Sequence, residues 1–373
     1  MRHVYVHVPF CRRRCSYCDF AIAVRREVPS QRYIAAVLAE LDQRHQTEFW
    51  DNEPLETLYL GGGTPSLLPA DSMAELIDGV VAGSPMRDGA TTVRTEFTIE
   101  VNPDDVSAEK VDIWADVHVN RVSLGVQSFD PRVLKWMHRT HGANDAERAV
   151  AHLRRVGVSS VSLDLIFGLP AELGADWEGD LRKALDLEPD HLSVYGLTVE
   201  PRTPLARWIG RGVTSAPADS AFEEQFLLAH DVLTDAGFEH YEVSNYARPG
   251  HHSRHNQAYW TGRRYLGLGP SAHGFEGRRR YWNVAPWAAY ERIVLGGKDP
   301  TENLEELSAE QRQLEGTYLG LRTTHGVSAE ITRSWPDALR EEVEAQGWLL
   351  EEGGRVRLTP PGWLRLDAIV AGT

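Results

Sequence analysis

The stretch HVPFCRRRCSYCDF, residues 7–20, decides how this chain is read. It follows the β-branched run Val4 to Val8 and holds all three cysteines of the protein, Cys11, Cys15 and Cys18, in a C-x3-C-x2-C pattern. An odd set of cysteines packed this closely makes a poor disulfide framework and a good metal-ligand set. Three thiolates leave a tetrahedral structural zinc site one ligand short, and no fourth ligand follows at finger-like distance. A 4Fe-4S cubane on three cysteines keeps one iron without a protein ligand, and an open position on a metal is where a substrate or cofactor binds. Arg12, Arg13 and Arg14 lie inside the loop and are expected to favour the thiolate form. The plainer alternative is three buried or reactive thiols beside a solvated arginine turn. Spacing and placement directly after a strand weigh against it.

Outward from this loop, short β-rich runs alternate with helical patterns. The strand runs are Val4 to Val8, Thr57 to Leu60, Phe97 to Val101, Val122 to Val126, Val161 to Phe167 and Leu192 to Tyr195. Between them, residues 31–47, 71–81, 107–116, 145–156 and 177–187 read as helices; in the first, Tyr33, Val37, Leu38 and Leu41 recur at helical spacing. Such alternation implies βαβ units, a parallel sheet and right-handed crossovers. The α/β fold class expected is an open, partial (β/α)6-type barrel, with a doubly wound sheet as the other arrangement of the same units. A further helix, 221–236, leads to an extended run at Tyr241 to Tyr246. Residues 249–277, rich in Gly, His and aromatics, show no clean period and read as a functional loop rather than a linker. Helices at 308–322 and 338–346 and a hairpin around Gly353-Gly354 then suggest a small α+β, winged-helix-like domain. The expected division is a barrel carrying the cluster over 1–245, an extended His/aromatic segment packing on it over 246–300, and the C-terminal domain over 301–373.

Composition narrows the function. A chain of 373 residues suggests two or three units. Its formal charge of -15, from 39 Lys+Arg against 54 Asp+Glu, repels phosphate backbones and argues against nucleic acid as a partner. No apolar run approaches the roughly 18 residues of a membrane span, and MRHVYVHVPF lacks the features of a secretory signal. A cytoplasmic protein is expected, with peripheral membrane association left open.

Other chemistry-bearing residues share one location. Gly61, Gly62 and Gly63 in YLGGGTPS follow the second strand. No Lys follows as a phosphate-binding loop needs, so the glycines are expected to let a ligand approach bare backbone. Glu100 ends strand three, Gln127 ends strand four, and Asp164 lies on strand five. A parallel barrel builds its ligand site at the C-terminal strand ends, and a buried carboxylate needs a partner. Arg139, in MHRTH, could pair with a carboxylate bidentately. Taken singly, each could equally be a structural hydrogen bond or a helix cap.

With the cysteine loop at the end of a first strand, the chain resembles the radical S-adenosylmethionine (SAM) enzymes. The resemblance implies that the unligated iron chelates the methionine amino and carboxylate groups of SAM. It also implies that an electron from a low-potential donor releases a 5'-deoxyadenosyl radical, chemistry the cofactor carries. Over nearly the whole chain YVHVPFCRRRCSYCDF, LGGGTPS, EVNP, NRVSLGVQSF, LDLIFGLP, HLSVYGLTVEP, YEVSNYAR, HNQAYW and YLGLGPSAHG are similar to the oxygen-independent coproporphyrinogen III dehydrogenase group. That group includes dehydrogenases that decarboxylate two propionates and HemW-type proteins that bind heme and deliver it to recipient proteins. The dehydrogenases typically carry another cysteine where this chain has Phe20, and a substantial segment before the cluster where ten residues precede Cys11. His255, Asn256, Tyr259 and Trp260 match the HNxxYW motif of the HemW-type proteins. The chain is therefore read as that type, a heme chaperone, with the dehydrogenase or a radical SAM enzyme for another substrate as alternatives. The resemblance implies SAM contacts from Tyr5, Tyr17, Gly62, Gly63, Thr64, Glu100, Gln127, Arg139, Asp164 and Thr198. For heme, His255 is expected as axial donor, Tyr259 and Trp260 as aromatic surface beside Asn256, and Arg254, Arg263 or Arg264 as propionate partners.

Overall fold

Side chains alternate between the two faces of a strand, and here the two faces differ in chemistry. The computed structural model describes residues 2–47, 53–84 and 95–373. In it β1 (His3–Val8), β2 (Thr57–Gly62), β3 (Glu96–Val101), β4 (Arg121–Gln127), β5 (Ser160–Phe167) and β6 (His191–Gly196) lie side by side in parallel. One face of each strand is apolar: Val4, Val6, Val8, Leu58, Leu60, Ile99, Leu124 and Leu163 are all buried. They belong to one core with residues of the covering helices α1 (Ser30–His45), α2 (Ala70–Ala82), α3 (Ala108–Asp116), α4 (Ala143–Arg155), α5 (Trp177–Asp186) and α6 (Asp219–Asp235). Each such side chain contributes about 1.5–3 kcal/mol through burial. The other face is polar, running His3, Tyr5, His7 on β1, Thr57, Tyr59 on β2 and Glu96, Thr98, Glu100 on β3. Parallel strands covered on both faces usually read as continuous apolar runs. The alternation found here makes the inside of the curved sheet a polar chamber.

Three more strands complete the sheet. β7 (Glu239–Glu242) and β8 (Asn245–Ala247) form an antiparallel hairpin on β6, while β9 (Leu266–Leu268) pairs in parallel with the far side of β1. The order β9-β1-β2-β3-β4-β5-β6-β8-β7 leaves the barrel open, as expected. The segment 246–300 does more than pack on the barrel, because it supplies one edge strand. A division at 245 cuts the β7–β8 hairpin, and one at 300 cuts the antiparallel sheet of His273–Phe275, Arg279–Asn283 and Thr301–Glu306. The region read as a loop also contains the helix α7 (Arg254–Trp260). About two turns long and engaged on several sides, it has no apolar stripe to betray it. The C-terminal unit has the expected winged-helix character. Helix Ala309–Leu321 opens with a Ser308/Gln311 capping box, and Val327–Ser328, Leu349–Glu352 and Arg355–Leu358 form a three-stranded antiparallel sheet.

α7 closes the chamber at the N-terminal ends of the strands. Glu96 accepts hydrogen bonds from the backbone amides of Arg254 and His255, both 3.0 Å long. Arg121 donates to the carbonyl of His251 at 3.2 Å. The Tyr241 hydroxyl accepts from the Ser253 amide and pairs with His191 Nε2 at 2.8 Å.

The β9 edge is fastened to α1 by a buried charge knot. Glu40 accepts from Arg44 at 3.1 Å, Asn283 at 2.8 Å, the Gly269 amide at 2.9 Å and Tyr290 at 2.6 Å. Removing one partner of a buried pair costs at most about 3–5 kcal/mol, and here Arg44 would keep a second carboxylate, Asp299, at 3.6 Å. Glu40→Ala should therefore lower unfolding stability by up to that amount in chemical denaturation. It should also speed hydrogen exchange over residues 266–295; unchanged exchange there would show that the knot does not fasten this edge.

Candidate functional site

At the C-terminal ends of the strands the chamber opens into a cavity of about 600 Å³. Cys11, Cys15, Cys18, Tyr17, Gly62, Gly63, Thr64, Glu100, Gln127, Arg139, Asp164 and Thr198 all line it. Among the described residues no three His, Cys, Asp or Glu side chains converge on a point fit for one metal ion. The three thiols line one shared cavity. The donor set fits a three-cysteine 4Fe-4S cluster.

Two side chains reach the sulfurs of Cys11 and Cys15, and the Phe20 backbone reaches Cys18. The Thr64 hydroxyl donates to Cys11 Sγ at 3.5 Å, and Arg139 Nη1 lies 3.8 Å from Cys15 Sγ. Burial pushes the Cys11 thiol up to about 11 and raises Cys18 as well. The loop arginines do not overcome this. Arg12 is spent on Asp104 and Asp105, Arg13 on the carbonyl of Arg139, and Arg14 on the carbonyl of Cys18. Arg139 is held by Asn102 at 2.6 Å and the Gly125 carbonyl at 2.7 Å, so this cation is fixed in the cavity wall. Binding a cluster must expel the thiol protons, because the thiolate is the ligand.

The glycine turn works differently from expectation. A Cβ on Gly63 would sit 2.8 Å from the Phe10 carbonyl oxygen, so glycine lets the turn touch the cysteine loop backbone to backbone. Gly62, at φ +108°, lies against the His7 ring, 2.5 Å from where a Cβ would be. The Gly62 amide donates to Glu100 Oε2 at 2.9 Å and the Gly63 amide to the Val8 carbonyl at 2.8 Å. With both amides used, the polar groups that remain on these two residues are carbonyl oxygens, suited to an ammonium rather than a phosphate. Glu100 also accepts from the Tyr59 hydroxyl at 2.8 Å, and Ser123 donates to both oxygens of Asp164 at 2.9 and 3.0 Å. Burial raises the pKa of Glu100, and pushes Asp164 up to about 7.

Comparison with known proteins agrees with this geometry. Residues 5–184 match the radical SAM superfamily. The heme chaperone HemW of Mycobacterium tuberculosis (strain H37Rv) is 37% identical over 98% of this chain and 93% of its own length. That of Bacillus subtilis is 35% identical over 98% of this chain and 97% of its own. The chain belongs to the HemW family of radical SAM proteins. Coproporphyrinogen III oxidase from Escherichia coli, a radical SAM enzyme, aligns with a TM-score of 0.80 over 99% of this chain and 89% of that one. At 22% identity that likeness is one of fold.

Within the expected set, Tyr5 stands apart: it does not line the cavity, and its hydroxyl bonds His7 Nδ1 at 3.1 Å. Thr198 sits exposed at the mouth, and Gln127 turns into the cavity from a left-handed backbone, φ 68°. The heme set is placed at the opposite end of the strands. His255 is 1% exposed, with Nδ1 2.7 Å from Thr57 Oγ1 and Nε2 2.8 Å from the Tyr259 hydroxyl. Burial pushes its pKa down to about 3, so the ring is neutral, and both of its nitrogens are engaged in hydrogen bonds to Thr57 and Tyr259. This arrangement lends no support to the expected axial role of His255. Tyr259 is spent on His255, Trp260 lies under the Arg322 guanidinium at 4.6 Å, and Asn256 belongs to the same plug helix. Arg254 donates to the Glu56 carbonyl and Arg263 approaches the Glu56 carboxylate at 3.5 Å. These residues build the floor of the barrel. Sequence reasoning missed Tyr59, Asn102, Ser123 and Gly125; the period-two polar face of the strands was the signal for Tyr59 and Ser123.

An Asp164 that titrates near 7 folded, against roughly 3.9 for an ordinary aspartate, binds more protons folded than unfolded between those values. Its charge therefore costs nothing below about pH 4, and stability falls as pH rises to about 7. Asp164→Asn should raise the melting temperature of the ligand-free protein at pH 8 and leave it nearly unchanged at pH 4.5. An equal shift at both would contradict this assignment.

Proposed function

We propose that Cys11, Cys15 and Cys18 hold a 4Fe-4S cluster, that SAM binds beside it, and that the protein carries heme to recipient proteins. The observation that supports the first two parts is that the three thiols share one cavity with a fixed cation and two carboxylates. When bound, the cluster supplies an iron without a protein ligand for the methionine end of SAM, and one electron once reduced by a low-potential donor. Thr64 and Arg139 stabilise charge on the sulfurs by hydrogen bonding. Arg139 also offers a positive group to the methionine carboxylate, while the Gly62–Gly63 carbonyls and Glu100 offer acceptors to its ammonium. Asp164 supplies a further acceptor deeper in the cavity, Gln127 and Thr198 polar contacts toward the mouth, and Tyr17 an aromatic wall. The chaperone part is supported by relatives named as heme chaperones along almost the full length of both chains. Phe20, 64% exposed on the cysteine loop, supports the same reading, since it stands where the related dehydrogenases carry a further cysteine. No helix among the described residues is long and apolar enough to cross a membrane.

Anaerobic reconstitution tests these parts separately. Wild type should gain one cluster's iron and sulfide, and alanine at any of the three cysteines should abolish its absorption. Near-stoichiometric iron in the triple variant would remove the ligand assignment. Arg139→Leu should weaken SAM by about ten- to a hundredfold in calorimetry, the loss of one charge-assisted contact. Hemin titration should give a Soret shift that survives His255→Ala, with no turnover of coproporphyrinogen. Catalytic formation of protoporphyrinogen would overturn the chaperone reading.

A further inference from the structure

Two aromatic columns rise from His255 through the chamber and meet at one corner of the cavity. In the first, the His255 ring stacks on Tyr59, centroids 5.0 Å apart and planes 29° apart. The Tyr59 hydroxyl donates to Glu100 Oε1 at 2.8 Å, and Glu100 Oε2 accepts the Gly62 amide at 2.9 Å. In the second, His255 faces Tyr5 at 6.3 Å. The Tyr5 hydroxyl donates to His7 Nδ1 at 3.1 Å, and the His7 ring lies where a Cβ on Gly62 would be. His7 Nε2 donates in turn to the Ala21 carbonyl at 3.0 Å, so the same column touches the chain just after the cysteine loop. Both columns stand on the face of the buried His255 ring, whose nitrogens separately join Thr57 and Tyr259. Its backbone amide is tied to Glu96.

We infer that His255 is a positioning residue for the Glu100–Gly62 corner of the cavity: through Tyr59 and Tyr5 the plug helix sets the carboxylate and glycine turn that face the ligand. The inference rests on the SAM reading of that corner. It gives His255 of α7 a part in the cavity although its side chain does not reach it. The ring face of His255 does the positioning, while its nitrogens hold the floor together. These two jobs can be separated by substitution.

The test uses cluster-loaded protein with SAM titrated by calorimetry, and melting followed in parallel. Tyr59→Phe keeps the stack and loses only the hydroxyl on Glu100. It should melt near wild type and bind SAM about tenfold more weakly, as expected for losing a hydrogen bond to a charged acceptor. His255→Phe keeps the ring face and drops both hydrogen bonds, so it should melt earlier and bind SAM within about twofold of wild type, well under the tenfold step of one lost contact. His255→Ala should lose both stability and affinity, and the double variant His255→Ala/Tyr59→Phe should bind no more weakly than the weaker single. Affinity that simply tracks melting temperature across the series, or losses that add in the double, would overturn the inference. Hydrogen exchange of the ligand-free protein gives a readout independent of SAM. Exchange at residues 60–64 should quicken in Tyr59→Phe and His255→Ala and stay at the wild-type rate in His255→Phe; equal rates in all would also overturn it. Failure of wild type to bind SAM would instead strike the ligand reading, with the exchange result still deciding this one.

Discussion

The two backbone amides of Arg254 and His255 on the Glu96 carboxylate are the contact on which the rest of this architecture depends. A parallel sheet with a polar inner face has to satisfy that face twice, once at each end. At the cysteine end a ligand can do so. At the other end the groups are His3, Thr57, Glu96, Arg121 and His191, and among the described residues α7 and its flanking turn reach most of them. Without the short helix, charged and hydrogen-bonding groups at the strand starts would meet bulk water or one another unpaired, at a cost of about 1–3 kcal/mol for each one buried and unsatisfied.

The cavity above is electrostatically incomplete by design. Burial raises the Cys11 and Cys18 thiols, the Glu100 and Asp164 carboxylates are pushed toward neutrality, and the fixed cation Arg139 has its Nε without a partner. Each of these strains is relieved by a group that brings both charge signs into a small space. A cluster that takes thiolates and a ligand carrying ammonium, sulfonium and carboxylate together answer all three. The neutral, fully bonded His255 at the floor shows the contrast: nothing there is left for a ligand to satisfy.

Much of this was legible in the sequence because it depends on spacing within short segments. Cys11, Cys15 and Cys18 lie in one loop, and Glu100, Gln127 and Asp164 mark strand ends that any parallel arrangement brings together. The barrel followed from alternation alone. The role of α7 did not, since it depends on contacts with β1, β2 and β3, about 150–250 residues away in sequence by the positions of His3 and Glu96. A histidine-rich polar run looks the same whether it is solvated or buried against other polar groups. Tyr59 was hidden for a related reason: inside the apolar run TLYL its ring suggests core, and only the partner Glu100 reveals its hydroxyl.

The pairing of β1 with β9 has a consequence for the order in which the chain becomes native. Leu266 lies 255 positions beyond Cys11, so on the ribosome the first strand gains β2 early and waits for its other neighbour. At about 5–20 residues per second that interval is roughly 10–50 s. During it the cysteine loop hangs from a half-paired strand, above a floor helix that has not been made. The cysteine loop is thus synthesised long before the strand that completes the pairing of β1 beside it.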